Sequence, residues 1–183
     1  MSDYRRYYVP GGTYFFTVVA HQRRPLFSGE NARSCLRQAI LDEQQHRPFN
    51  LFAICLLPDH IHSIWTLPRN DDQYSIRWSK IKEEFTRSYL NDCGTEGQIT
   101  DSRKKHRERA VWQRRFWEHT VKDEDDLKRC ADYIHWNPVK HRLVSRVRDW
   151  PWSSFHRFVE AGEYEIDWGR SNPCIGYDAP EWE

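Results

Sequence analysis

The order of strand and helix patterns predicts an α+β fold of the ferredoxin-like type, with a β-α-β-β-α-β antiparallel sheet and an added C-terminal helix. Three observations predict it. Four β-branched and aromatic runs mark strands, apolar residues at helical spacing mark the helices between them, and only a short turn separates the second run from the third. Helices on one face of this sheet leave the other face open, and we expect a functional site there.

The four strands are predicted at residues 13–19, 49–57, 60–67 and 111–121. The second run is apolar without interruption, which is typical of a strand that is covered on both faces. Pro58 and Asp59 follow it and favour a tight turn, so the second and third strands should form a hairpin.

The helices are predicted at residues 28–45, 74–90, 123–138 and 149–159. Ser28 and Asp123 are residues that can cap a helix N-terminus, whereas Pro48 and Pro138 indicate helix ends. Residues 91–108 are polar and basic and contain glycine, so we expect a mobile loop. The apolar positions of the second helix that should face the core are Ile76, Ile81, Phe85 and Tyr89.

The length of 183 residues suits one domain, which we place at residues 1–160, with an acidic tail at 161–183. No run approaches the roughly 20 apolar residues of a membrane helix, and the first residues lack the apolar run of a signal peptide. The five cysteines are scattered, without a Cys-x-x-Cys pair. They argue against a disulfide framework and predict a cytoplasmic protein with reduced thiols.

The net charge of +1 hides an asymmetry along the chain. Residues 160–183 contain seven acidic residues and one basic residue, and the preceding part has 27 basic against 20 acidic residues, a net charge of +7. A basic stretch of this kind suits a nucleic-acid backbone, although it is also typical of a solvated loop. The residues that we expect to contact phosphates are Arg103, Lys104, Lys105, Arg107, Arg109, Arg114, Arg115, Lys140 and Arg142.

His60 and His62 are the most informative pair in the sequence. Residues two apart in a strand point to the same face, about 6.6 Å apart along the chain, so both imidazoles can reach one metal ion. Asn137 offers an amide oxygen as a third ligand, and three protein ligands leave positions open for substrate. Such a set tolerates Mn²⁺, Zn²⁺, Co²⁺ or Ni²⁺ and suits Mg²⁺ less well. The alternative is a structural, hydrogen-bonded pair of histidines.

Tyr133 is the candidate nucleophile. It lies four residues before Asn137, so the two side chains share one face of the predicted helix, and a metal on Asn137 would hold a phosphate beside the phenol. The alternative is a tyrosine that packs its ring at the border of the apolar stripe. Asp59 could orient His60 or make the turn, and His119 could face the site or pack against the first strand. His135 and His141 remain open as base, phosphate contact or surface residues.

Residues 57–62 resemble the His-hydrophobic-His motif of HUH nucleases, in the form usual for single-tyrosine transposases. Residues 114–119 and 133–141 closely resemble the REP-associated tyrosine transposases of bacteria, and residues 12–17 fit them as well. The resemblance covers roughly residues 5–160.

The resemblance implies a catalytic C-terminal helix and metal-dependent cleavage of single-stranded DNA near hairpins of repetitive extragenic palindromes. Tyr133 would form a 5′-phosphotyrosine, and the freed 3′-hydroxyl could reverse the attack and rejoin strands. Mg²⁺ or Mn²⁺ would bind His60, His62 and Asn137, although related insertion-sequence enzymes usually have Gln in place of Asn137. It further implies a bacterial, nucleoid-associated protein, and we favour a monomer over a dimer that shares its sites.

Two other functions remain open. A domesticated hairpin-binding protein would keep the basic and aromatic residues and would not cut DNA, although it would have no need of His60, His62 and Tyr133 together. A metal phosphoesterase would use the same histidines with water as the nucleophile, and it would form no covalent intermediate.

Overall fold

Four antiparallel strands form the central sheet, namely β1 (Thr13–Val19), β2 (Asn50–Leu56), β3 (His60–Thr66) and β4 (Trp117–Thr120). Their order across the sheet is β2-β3-β1-β4. The computed structural model describes residues 6–92 and 94–170. The sheet and its helices confirm the predicted ferredoxin-like α+β fold.

The described residues form five α-helices, namely α1 (Glu30–His46), α2 (Tyr74–Asn91), α3 (Asp101–Lys105), α4 (Glu124–Lys140) and α5 (Phe155–Glu160). Helices α1 and α2 pack on one face of the sheet, over a core that includes Tyr14, Phe16, Trp65 and Trp78. Helix α4 covers the other face, where its Ile134 is buried together with Phe15, Ala53 and Ile64 of the sheet. The expectation of an open face is therefore wrong, because α4 buries its own apolar stripe there.

Helix α4 carries the candidate nucleophile, and it begins as predicted. Asp123 precedes the helix, and its carboxylate accepts a hydrogen bond of 2.8 Å from the amide of Asp126. The prediction that Pro138 ends the helix is wrong, since α4 continues to Lys140. Proline removes the hydrogen bond of its own amide and crowds the carbonyl four residues earlier, but the residues after it keep their amides, and that of His141 still bonds to the carbonyl of Asn137 at 2.9 Å.

Several other boundaries differ from the prediction. Helix α1 follows Gly29, so Ser28 is not its cap. Ile76 is 43% exposed, so its predicted place in the core is wrong. The expected loop at 91–108 contains α3, which Thr100 caps. Strand β4 is shorter than predicted, because Val111 and Trp112 enter the core beneath α1 and α2 before the strand begins.

The segment before α5 protects the outer edge of the sheet. The amide of Leu56 on β2 donates to the carbonyl of Trp152 at 2.8 Å, and the amide of Ser154 donates back to Ile54 at 2.8 Å. This pairing covers an otherwise open strand edge. It also explains why the predicted helix at 149–159 is shorter in the structure. The domain boundary after residue 160 stays a prediction, and beyond it Tyr164 packs against His135.

His135 of α4 contacts the segment that covers this edge of the sheet, and its burial makes the free energy of unfolding sensitive to low pH. Its buried Nε2 lies 2.8 Å from the hydroxyl of Ser154. Burial, with a smaller effect of Arg157, lowers the pKa of His135 to about 3. Because the folded pKa lies below the unfolded value of about 6.5, its contribution is complete above that pH and is lost as pH falls toward 3, by up to about 1.4 kcal/mol per pH unit.

We therefore expect the free energy of unfolding to fall more steeply between pH 6.5 and 4 in the wild type than in His135→Gln, which has no proton to gain there. Urea unfolding at a series of pH values measures both slopes. Carboxylates and other histidines titrate in both proteins, so the difference between the slopes isolates His135. Equal slopes would show that His135 does not determine this acid sensitivity.

Candidate active site

Two buried histidines on β3 form the centre of the candidate site. His60 and His62 alternate with Ile61, and both rings face the side of the sheet that α4 covers. The centroids of the two rings are 4.8 Å apart. Across the sheet, Thr17 of β1 pairs with His62, and its hydroxyl lies 3.0 Å from His62 Nδ1. The strand spacing therefore places both imidazoles at one point, with a β1 hydroxyl against one of them.

Asp59 orients the first histidine. Its carboxylate accepts a hydrogen bond of 2.6 Å from Nδ1 of His60, and a second of 3.0 Å from the guanidinium of Arg23. Burial opposes ionisation of Asp59, but the hydrogen bonds from His60 and Arg23 outweigh it and lower the pKa of Asp59 to about 2. The carboxylate is therefore charged, and it fixes the tautomer of His60 that carries its proton on Nδ1.

The electrostatic surroundings keep the second histidine neutral. Burial lowers the pKa of His62 well below its ordinary value, and the neighbouring His60 and His141 add to this effect. His141 lies just beyond α4, with its ring centroid 5.3 Å from that of His60. A neutral imidazole is the form that binds a metal ion.

The amide of Asn137 lacks hydrogen-bond partners among the described residues. Asn137 is completely buried, and neither its Oδ1 nor its Nδ2 has a partner there. Nε2 of His60 is also buried and also has no hydrogen-bond partner among the described residues. A buried polar group without a partner costs about 1–3 kcal/mol, so a site that retains three such atoms calls for an explanation. A neutral imidazole nitrogen and an amide oxygen are suitable ligands for a divalent ion, so these residues fit a metal.

Tyr133 faces the sheet from α4, one turn before Asn137. Its side chain is 3% exposed, and its ring centroid lies 5.5 Å from that of His62 in an edge-on contact. The Nζ of Lys140 donates a hydrogen bond of 2.8 Å to the Tyr133 hydroxyl. The three α4 residues are spaced by four and three positions, so they share one helix face. Helix α4 therefore places a phenol, an ammonium group and an amide over the histidines of β3.

The structure places the ammonium group of Lys140 at Tyr133, a contact that the sequence analysis did not predict. The predicted contact of Lys140 with the DNA backbone stays a prediction. The spacing of seven residues between Tyr133 and Lys140 was a signal for this contact, since it corresponds to two helical turns. Burial lowers the pKa of Lys140.

His119 lies in a separate cluster at the start of α4. Its Nε2 is 2.7 Å from Oδ2 of Asp126, which also accepts from the amide of Lys122 at 3.0 Å. The Sγ of Cys130 is near enough that the three candidate ligand atoms lie within 4.8 Å of one another. The hydrogen bonds account for this cluster as a link between β4 and α4. Burial and the charge of Asp126 raise the pKa of Cys130 to about 12, which makes its thiol a poor ligand.

The predicted phosphate contacts fall into two groups. Arg103 is buried, and its guanidinium donates to the carbonyls of Arg109 at 2.6 Å and Trp112 at 3.0 Å, so it holds the loop together and does not lie on the surface. Charge alone could not distinguish this buried arginine from its neighbours. The remaining predicted residues are exposed, namely Lys104, Lys105, Arg107, Arg109, Arg114, Arg115, Lys140 and Arg142.

The comparisons with known proteins identify the family of this chain. A family profile described as "Transposase IS200 like" matches residues 8–137, which include all four strands and α4 as far as Asn137. The chain therefore belongs to the IS200-like transposases, a family of enzymes. Within the described residues, no helix is both long enough and apolar enough to cross a membrane.

The relatives specify the branch of that family. The REP-associated tyrosine transposase of Escherichia coli K12 is 45% identical over 168 residues, covering 92% of this chain and 91% of its own length. A Haemophilus influenzae protein assigned to the same class is 47% identical over 175 residues, covering 96% and 97%. A solved REP-associated tyrosine transposase bound to a REP hairpin superposes with a TM-score of 0.78 at 42% identity, covering 98% and 99%. The predicted resemblance to REP-associated tyrosine transposases is thus confirmed.

Proposed function

We propose that this transposase cuts and rejoins single-stranded DNA beside hairpins, and that Tyr133 is the nucleophile. The observation that carries the proposal is the position of the Tyr133 hydroxyl. Lys140 holds it at 2.8 Å, its ring contacts His62, and the amide of Asn137 lies one turn away without a partner among the described residues. A structural tyrosine would not require a cation and two unsatisfied ligand atoms, His60 Nε2 and Asn137 Oδ1, around it.

His60, His62 and Asn137 would hold the divalent ion, Mg²⁺ or Mn²⁺. When bound, the ion polarises the phosphate and offsets the charge that develops on it. Asp59 and Thr17 support this role, because each contacts Nδ1 of a histidine and so leaves Nε2 as the ligand atom. Helix α4 docks directly on β3, which is consistent with a side chain as short as asparagine at this position.

The proposed reaction is a phosphoryl transfer to tyrosine. The phenol of Tyr133 gives up its proton, and its oxygen bonds to phosphorus while the bond from phosphorus to the 3′-oxygen breaks. The 3′-oxygen takes up a proton and leaves as a hydroxyl, and the DNA remains attached through a 5′-phosphotyrosine. Because one phosphodiester replaces another, the 3′-hydroxyl can reverse the attack without an external energy source. Lys140 stabilises the negative charge on the attacking oxygen.

Lys140→Met should slow the formation of the covalent complex by about 10²-fold, the lower end of what one charge-stabilising donor supplies. Lys140→Arg keeps a cation and should recover part of the rate. Single-turnover assays across a range of pH measure both. The difference in rate between the wild type and Lys140→Met should shrink as pH rises toward the ordinary pKa of a phenol, about 10. Wild-type rates in Lys140→Met would contradict this role.

We also propose hairpin DNA as the partner of the chain. The solved relative is described as bound to a REP hairpin, and the exposed basic residues between α2 and β4 supply charge for a backbone. We further infer a monomer that acts in the bacterial cytoplasm, at the nucleoid.

The test uses the wild-type protein, Mn²⁺ and end-labelled single-stranded DNA that carries a hairpin and its flanking sequence. We expect a protein–DNA complex that survives a denaturing gel, together with a released strand that a polymerase can extend from its 3′-hydroxyl. A native-gel shift without a covalent complex would favour the hairpin-binding protein. Many turnovers without a covalent complex would favour attack by water.

A further inference from the structure

A third histidine lies against the pair on β3. His141 follows Lys140, the last residue of α4, and its ring centroid lies 5.3 Å from that of His60. The planes of the two rings meet at 69°, so the contact is edge-on. Because the two histidines are far apart in the sequence, this contact depends on the docking of α4 over β3.

The hydrogen-bonded end of α4 fixes the position of His141. The amide of Arg142 donates to the carbonyl of Val139 and the amide of Leu143 donates to that of Pro138, both at 2.9 Å. Arg142 has a φ of 57°, which lies in the left-handed region. This is the Schellman arrangement, in which glycine usually takes the left-handed position because a side chain is strained there. The chain thus keeps a strained turn directly after the residue that contacts His60.

The ring of His141 buries a nitrogen that nothing satisfies. Nε2 of His141 has no hydrogen-bond partner among the described residues, and the same is true of Nε2 of His60 and Oδ1 of Asn137. The hydrogen bond from Nδ1 of His60 to Asp59 leaves Nε2 of His60 as an acceptor, yet His141 does not donate to it. An apolar ring would fill this space without leaving a polar atom unpaired, so packing does not explain a histidine here.

The spacing of His141 from Asn137 suits a pair of metal ligands. The amide of His141 bonds to the carbonyl of Asn137 at 2.9 Å, as in a regular turn of helix. The two side chains are four residues apart and therefore lie on one face, which is the spacing at which two helical residues can bind one ion. Imidazole nitrogens and an amide oxygen are ligands that the same divalent ion accepts.

We propose that His141 is a fourth ligand, through Nε2, of the divalent ion that His60, His62 and Asn137 would hold. This inference rests on the proposed function, because it adds a ligand to the proposed metal site. Strand β3 and the end of α4 would then supply two ligands each, and the remaining positions of the ion would be left to the phosphate of the DNA.

The test measures the affinity of the DNA-free protein for Mn²⁺ by isothermal titration calorimetry, so that a contact between His141 and a phosphate cannot contribute. The amide of asparagine reaches only the position of a histidine Nδ1, whereas that of glutamine reaches the position of Nε2. His141→Asn should bind Mn²⁺ at least about 10-fold more weakly than the wild type, since the loss of a residue that merely orients a ligand already costs about 10–100-fold. His141→Gln keeps an oxygen donor and should recover part of this loss.

The matched control is His46→Asn, because His46 is exposed at the end of α1 and should leave the Mn²⁺ affinity unchanged. Co²⁺ gives a second readout, since its visible absorption bands respond to the number and kind of bound ligands. His141→Asn should change the bands of the Co²⁺-loaded protein, and His46→Asn should not.

Wild-type Mn²⁺ affinity in His141→Asn, together with weak binding by His62→Ala, would overturn the inference and leave the proposed metal site intact. Equal weakening in His141→Asn and His141→Gln, with the Co²⁺ bands of the wild type in both, would also overturn it, since His141 would then only shape the site. Absence of Mn²⁺ binding in the wild type would refute the proposed metal site together with its fourth ligand.

Discussion

Tyr133→Phe protein should form no covalent complex with single-stranded DNA and should retain its affinity for hairpin DNA. The substitution removes one oxygen atom and keeps the ring, which fills the space between Phe15 and His62. The hydrogen bond from Lys140 is lost with the oxygen, and a single bond of this kind contributes about 1.5–3 kcal/mol when it involves a charge. The fold should therefore survive, while the reaction loses its nucleophile altogether.

The experiment combines a denaturing gel, which detects the covalent complex, with anisotropy, which measures hairpin binding. Tyr89→Phe is the matched control, since it removes a hydroxyl from α2, where the ring stacks on Phe85 on the far side of the sheet. It should form the complex at the wild-type rate. A covalent complex in Tyr133→Phe would exclude Tyr133 as the nucleophile, and loss of hairpin binding in that variant would indicate a structural role.

Removal of the metal ion, or of one of its ligands, should slow cleavage almost as strongly as Tyr133→Phe does. We expect a chelator to stop cleavage by the wild type and added Mn²⁺ to restore it. His62→Ala should remain at least about 10³-fold slower than the wild type at any Mn²⁺ concentration. This factor corresponds to about 4 kcal/mol of transition-state stabilisation. His46→Ala is the control, because His46 is exposed at the end of α1 and should leave the rate unchanged. Full cleavage in the presence of a chelator would contradict the metal site.

Asn137→Ala separates metal binding from folding. Because the Asn137 amide has no partner among the described residues, its removal should cost the metal-free protein little stability. The rise in Tm that Mn²⁺ produces in the wild type should be smaller in the variant, since a ligand that binds only the folded state stabilises it in proportion to its affinity. An unchanged rise would show that the ion binds elsewhere.

Local patterns explain why much of the fold could be predicted. Strand composition and the Pro58–Asp59 turn are properties of neighbouring residues, and these were sufficient for the four strands and for the β2–β3 hairpin. One of the errors has a local cause and one has a tertiary cause. Helix α4 continues past Pro138 because its last turn can close without that amide, and β4 begins late because Val111 and Trp112 are drawn into the core.

The same distinction between local and tertiary information applies to the predictions for the candidate site. The alternation of His60 and His62, and the single turn between Tyr133 and Asn137, follow from spacing, so the sequence sufficed to propose them. The docking of α4 over β3 is a tertiary contact, and no local pattern specifies it. The same limit applies to Arg103, which belongs to a basic run by sequence but is buried by the fold.

Identification of the residue that carries the DNA tests the central claim most directly. Trypsin cleaves after Arg129 and Lys140, and the fragment at 130–140 contains Tyr133 as its only hydroxyl-bearing side chain. Mass spectrometry of the digested covalent complex should find a 5′-phosphorylated nucleotide on this fragment, on tyrosine. A nucleotide on any other fragment, or a cut strand with no modified fragment, would contradict attack by Tyr133.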